Sequence, residues 1–459
     1  MTTSYELPDM ADGFVWGAAT AAYQIEGGVA EDGRGDSVWD TFCRRPGVIT
    51  GGSSGAVACD SYHRWRDDVE LLAGLGVDAY RFSVAWPRVM PTGRDEVNKP
   101  GLDYYDRLVD ALCERGIRPF VTLYHWDLPQ ALEETGGWRE RDTAERFADY
   151  ATVVADRLGD RVHDWITLNE PYVSSIAGYA EGRHAPGARE GHGALAAAHH
   201  LLVGHGLAVA ALRAAAPGGR VGITLNLSPA VPASTSAADE AAANRMDLLL
   251  NRQFTDPVLG GAYPDGFERL YAGVSDLSFR RDGDLDVIGA PLDFLGVNYY
   301  YRIHAADVPR EQDEPALRTA DDIGVRAVPR QGVPLTDLGW PVEPRGLYDT
   351  LTGLAGRYPG LPPVYVTENG IAEVRDDTGD DPERIRFVAE HVAAAARAVD
   401  DAGVDLRGYF YWSLIDNFEW ARGYGPRFGL AHVDYVTGVR TPRASYHWLK
   451  EQLSRRTGK

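Results

Sequence analysis

Two glutamates occupy segments suited to holding a carboxylate still. Glu170 lies in Thr167-Leu168-Asn169-Glu170-Pro171 and Glu368 in Val366-Thr367-Glu368-Asn369-Gly370. Each directly follows an apolar, β-prone run. Proline cannot extend a ladder and glycine permits a sharp turn, so each carboxylate is expected at a strand tip rather than on a helix surface. Two carboxylates across a cleft can divide the cleavage of a glycosidic bond. One protonates the leaving oxygen, and the other attacks the anomeric carbon or activates a water.

Competing chemistries lack their residues. There is no Gly-Lys-Ser/Thr, and the Gly51, Gly52, Gly55 cluster lacks dinucleotide spacing, which disfavours nucleotide use. There is no His-x-His or His-Glu-x-x-His. His199, His200 and His205 lie in an alanine-rich segment at spacings that build no ligand set, so no metal and no organic cofactor is expected. A serine hydrolase needs a Gly-x-Ser-x-Gly elbow after a strand, and none follows a predicted strand.

The elements that must position the two glutamates can be read from periodicity. Apolar, β-branched runs are predicted as strands at 14–18, 77–84, 116–124, 162–168, 220–226, 294–299, 364–367 and 406–411. Helical repeats separate them, among them 104–115, 144–158, 194–215 and 384–402. Eight strand and helix alternations predict an α/β chain folded as a single (β/α)8 barrel, spanning residues 1–459 as one catalytic domain. Polar or aromatic residues follow the runs: Gln24, Trp86, His125 with Trp126, Asn169 with Glu170, Asn226, Asn298 with Tyr300, Glu368 and Trp412. In a parallel barrel these C-terminal strand ends converge on the face where active sites form. Two insertions, 44–59 and the long charged stretch 302–334, are expected to border that face.

Composition bounds the partners. The 459 residues contain 44% hydrophobic and 25% charged side chains, an ordinary globular balance. With 46 Lys and Arg against 67 Asp and Glu, the net charge of −21 repels nucleic acid and anionic lipid. No run reaches the roughly 18 uninterrupted apolar residues of a membrane span, and residues 1–10 carry no secretion-signal pattern. Cys43, Cys59 and Cys113 are odd in number and far apart, so a reducing, cytoplasmic setting is expected. Nothing in the sequence specifies an oligomeric state.

A family resemblance rests on the two glutamate motifs together with Gln24-Ile25-Glu26-Gly27, Tyr80-Arg81-Phe82-Ser83 and His125-Trp126-Asp127-Leu128-Pro129. His184-Ala185-Pro186-Gly187, Gly296-Val297-Asn298-Tyr299-Tyr300 and the run from Trp412 to Trp420 complete it. In these blocks the chain resembles glycoside hydrolase family 1 over almost its whole length, in the family's order. The resemblance implies a retaining β-glycosidase, most often a β-glucosidase also active on β-galactosides and β-fucosides. Its substrates would be small β-glycosides or cello-oligosaccharides from polysaccharide and cellulose degradation.

By the same resemblance Glu368 is the nucleophile and Glu170 the acid and then the base, with the carboxyls about 5 to 5.5 Å apart. Arg81 and Tyr300 flank the nucleophile. Gln24, His125, Asn169, Asn298, Glu419 and Trp420 bind sugar hydroxyls, and Trp412 supplies a stacking platform. Tyr172, His184, Asn226 and Trp340 match outer-pocket positions. Glu170, where S-glycosidases carry glutamine, argues for O-glycosides, and Glu419 argues against phosphorylated sugars. Two alternatives stay open: an enzyme that mainly transfers glycosyl groups to acceptors, and a noncatalytic sugar-binding barrel.

Overall fold

Strands β1 (Val15–Ala19), β2 (Ala79–Ser83), β3 (Arg118–Tyr124), β4 (Asp164–Asn169), β5 (Arg220–Asn226), β6 (Phe294–Asn298), β7 (Val364–Asn369) and β8 (Leu406–Trp412) form all eight predicted runs. They appear in a computed structural model that describes residues 5–310, 317, 319–374 and 379–456. Every pairing is parallel, and β1 pairs with both β2 and β8, so the sheet closes. Nearly every strand residue is buried, because the barrel interior lies on one side and helices on the other, as parallel sheets require.

Helices α1 (Ser61–Leu75), α2 (Lys99–Glu114), α3 (Arg141–Leu158), α4 (Gly191–Ala215), α5 (Ala237–Asp247), α6 (Pro344–Arg357), α7 (Pro382–Ala402) and α8 (Ala444–Arg456) follow successive strands. The four predicted helices are α2, α3, α4 and α7, each longer at its start than the apolar repeat alone indicated. α4 is long and apolar enough to cross a bilayer, but 83% of its most apolar window is buried inside the protein. Three of its histidines are core groups: His199 pairs with Asp284, His200 bonds the Trp138 carbonyl and His205 bonds the Thr167 hydroxyl.

The barrel is plugged at its N-terminal end and open at the other. Phe120 packs against Phe294, Tyr365 and Phe410 with ring centroids 4.8–6.1 Å apart. Below them Asp164 ion-pairs with Arg118 and Arg220. At the open end, regular pairing breaks beside both glutamates, between Ile166 and Asn169 on β4 and between Val366 and Glu368 on β7. Such irregularities re-aim side chains at barrel rims.

The charged stretch 302–334 is expected to border the open face, and the sequence assigns it no regular structure. It instead supplies strands Ile303–Asp307 and Val325–Ala327, which join Ala230–Pro232 in a small sheet, while 311–316 and 318 lie outside the described residues. The formal Gly-x-Ser-x-Gly match at 51–55 follows no strand; its first residues belong to the 3-10 turn Thr50–Gly52.

Candidate active site

The β4 tip carries Glu170 into the left-handed region, with φ of 49°. Its N–H bonds Thr224 O on β5 at 2.9 Å, and its carbonyl accepts from Val173 N. The chain continues directly into a π-helix, Val173–Ala180, a form frequent at functional sites. Trp126 (φ 81°) and Trp420 (φ 48°) share the left-handed conformation. Such backbone costs on the order of 1–3 kcal/mol per non-glycine residue and persists only where surrounding contacts hold it.

Glu368, next to last in β7, has both oxygens engaged. Arg81 Nη1 donates to Oε1 and Tyr300 OH to Oε2, each at 2.6 Å. The following Asn369 is tied to Tyr299 O and to Tyr409 OH. Gly370 is required there, because a Cβ would lie 1.8 Å from Trp412 O. The Glu-Asn-Gly sequence thus fixes the β7 tip against β8.

Glu170 is held differently. Asn298 Nδ2 donates to its Oε1 at 2.6 Å, whereas Oε2 has no partner among the described residues. Thr224 Oγ1 donates to Thr367 Oγ1, which donates to Asn298 Oδ1 at 2.8 Å, so the amide's orientation is set from behind. Gly296 makes room for this relay, since a Cβ would fall 2.2 Å from Thr224 Oγ1. An N–H facing Oε1 leaves a proton on Glu170 only Oε2 to occupy. Burial first, and the Glu368 charge second, push Glu170 up to about 8.

Thr367→Val should loosen that amide and let Glu170 give its proton to Asn298 Oδ1. Hydrolysis of a glucoside with a poor leaving group should then fall roughly five- to tenfold, the worth of about one hydrogen bond. A dinitrophenyl glucoside should be spared, and Thr367→Ser should restore the loss. Equal losses on both substrates would refute the relay.

Glu170 and Glu368 both line a cavity of 630 Å³ at the open end of the barrel. His125, Asn298, Tyr300, Trp412, Glu419, Trp420 and all four outer residues, Tyr172, His184, Asn226 and Trp340, line it too. Gln24, Asn169 and Arg81 stand one layer behind. Asn169 Oδ1 accepts from Arg81 Nη2 at 2.6 Å and its amide bonds His125 Nε2 at 3.0 Å. His125 lies between two indoles, 5.9 Å from Trp412 and 6.0 Å from Trp420, nearly parallel to both. Gln24 Oε1, His125 Nδ1 and Glu419 Oε2 are buried with no hydrogen-bond partner among the described residues. Burial and the Glu368 charge push Glu419 up to about 8 as well.

Trp86 follows β2 as Trp126 follows β3, yet it packs on Tyr150 of α3 and stays out of the cavity. Trp126 does line it, and its indole donates to Asn169 O at 3.0 Å. Sequence reasoning missed Leu249 and Leu250, beyond α5, and Arg183, Arg189 and Arg422, whose positions no strand-end pattern marks. The insertions reach the wall through Gly47, Val48 and Thr50, and through Ile303 and Ala320. Among the described residues no three His, Cys, Asp or Glu side chains gather as a metal site.

Residues 7–457 match the model of glycosyl hydrolase family 1. The chain is similar to the thermostable β-glucosidase B of Thermobispora bispora, 49% identical over 97% of this chain and 90% of that one. It is 47% identical to a bifunctional β-D-glucosidase/β-D-fucosidase of Bifidobacterium breve, over 96% and 97% of the two chains. The crystal structure of a psychrophilic β-glucosidase from Micrococcus antarcticus superposes with a TM-score of 0.92 at 47% identity, covering 97% of each chain.

Proposed function

Because the chain belongs to glycosyl hydrolase family 1, we propose that it removes terminal β-D-glucosyl residues by double displacement with retention, and accepts β-fucosides and β-galactosides. The observation that carries this reading is the unequal treatment of two carboxylates in one cavity. Glu368 accepts a hydrogen bond on each oxygen, the arrangement of an anion ready to attack. Glu170 keeps its proton into the neutral range and has one oxygen free to deliver it.

In the first step Glu170 protonates the leaving oxygen while Glu368 attacks the anomeric carbon, giving a covalent glycosyl-enzyme. Esterification removes the Glu368 charge that opposed ionisation of Glu170. Glu170 then accepts a proton from water, which attacks the same carbon from the face the aglycone left, breaking the ester bond and releasing the sugar and the Glu368 carboxylate. The unpartnered His125 Nδ1 and Glu419 Oε2, both on residues lining the cavity, suit sugar hydroxyls, since buried polar atoms otherwise carry a cost of roughly 1–3 kcal/mol each. Trp412 offers the sugar an apolar platform.

The whole chain serves as one catalytic unit, acting in the cytoplasm on small β-glycosides and cello-oligosaccharides from cellulose breakdown. The three free cysteines favour that compartment. Time-resolved NMR during hydrolysis of an aryl β-glucoside should show β-glucose first and α-glucose only through later mutarotation. Initial α-glucose would overturn the double displacement, and a folded protein inert towards aryl β-glucosides would favour a binding role.

A further inference from the structure

Charge is distributed unevenly along the cavity. Its catalytic region carries three carboxyl groups, Glu170, Glu368 and Glu419, and burial together with the Glu368 charge raises the proton affinity of the other two. The chain as a whole is acidic at −21. The loops after β4 and β8 reverse that sign, bringing Arg183, Arg189 and Arg422 onto the wall. Arg183 is neutralised by Glu181. Arg189 and Arg422 are exposed and form no ion pair among the described residues, in a chain where acids outnumber bases, although Arg422 acts electrostatically on Glu419.

The two loops converge. Trp39 touches both His184, from the β4 loop, and Trp420, from the β8 loop, with centroids 5.3 and 4.5 Å away. Trp126 bridges the same pair. Arg422 is near enough to His184 to oppose its protonation. Burial, with Arg183 and Arg422 adding to it, holds His184 down to about 3, so it adds no positive charge of its own at neutral pH. The remaining outer wall, with Leu249, Leu250 and Trp340, is mostly apolar and aromatic, with Asn226 and Ser228 as polar members. An aglycone that satisfies both parts has an apolar or aromatic body and an anionic group beyond it. A negative charge nearer the scissile bond would instead meet the Glu368 charge.

Resting on the glucosidase reading above, we propose that the mouth of the cavity selects β-glucosides whose aglycone is an aromatic or apolar carboxylate, with Arg189 and Arg422 as specificity-determining residues. Each exposed pair is weak and salt-sensitive alone, so the selection is a moderate kinetic preference.

The test compares 4-(carboxymethyl)phenyl β-D-glucoside with its 4-(carbamoylmethyl)phenyl counterpart at neutral pH. The methylene insulates the phenolic oxygen, so the leaving groups are alike and only the remote charge differs. At low ionic strength the acid should exceed the amide in kcat/KM by roughly fivefold, and the ratio should approach one near 0.5 M salt. Arg189→Gln should lower the ratio, Arg189→Gln with Arg422→Gln should bring it to about one, and Arg189→Glu should push it lower than Arg189→Gln does. Reading the ratio cancels any general loss of activity. A wild-type ratio at or below one, or a ratio that neither glutamine substitution moves, overturns the proposal while leaving the glucosidase reading intact. A folded enzyme inert towards both glucosides overturns that reading and this inference with it.

Discussion

Glu368→Ala should lower kcat/KM for an aryl β-glucoside by about a thousandfold or more, because loss of a nucleophile removes the covalent route itself. The residue's partners explain why a milder result is not expected. Arg81 and Tyr300 are aimed at its two oxygens, and neither can replace it. The direct check is covalent. A 2-deoxy-2-fluoroglucoside slows both steps by disfavouring positive charge at the transition state, and an activated leaving group restores only the first. Peptide mapping should then place the added mass on the peptide containing Glu368. A label on Glu170, or Glu368→Ala retaining more than about a thousandth of wild-type efficiency, would reverse or remove the assigned roles.

Glu170→Ala should produce a loss that depends on the leaving group. An alkyl glucoside needs a proton on its departing oxygen, so its hydrolysis should fall by about a thousandfold or more, whereas a dinitrophenyl glucoside should still glycosylate the enzyme. Turnover should then stall for want of a base. Azide needs no base, so it should restore turnover and yield the β-glucosyl azide. The pH profile gives a second readout. Glu170 must enter the reaction protonated, so wild-type kcat/KM should fall as pH rises through about 8, and this limb should vanish in Glu170→Ala. Uniform losses across leaving groups, or an unchanged alkaline limb, would show that another group supplies the proton.

Much of the barrel was legible because strand runs, helical repeats and rim residues are local signals. The strand predicted at 406–411 emerges as Leu406–Trp412, and that at 364–367 as Val364–Asn369. Rim position was legible where the side chain's direction followed from its place at a strand tip, as for Glu170 and Glu368. It failed where direction depends on the turn. Trp86 and Trp126 look equivalent in sequence, but Trp126 takes a positive φ and faces the cavity while Trp86 enters a short helix and packs outward. The relay from Thr224 through Thr367 to Asn298 joins three different strands, so no spacing within the chain announces it. Arg189 and Arg422 meet the cavity only because two distant loops close over it.

The crowding of Glu170, Glu368 and Glu419 also has a cost in folding free energy. Glu170 and Glu419 hold protons up to about 8 in the native chain against an ordinary value of 4.5. Between those values the native state binds more protons than the unfolded one, so unfolding releases protons and the native state loses stability as pH rises. The contribution is complete below 4.5 and gone above about 8. Ligand-free melting temperatures that failed to drop across that window once these two residues were compared with their glutamine variants would contradict this account. The barrel therefore tolerates at its rim a cluster that its own stability would be better without, and conditions that empty Glu170 of its proton weaken the scaffold together with the chemistry.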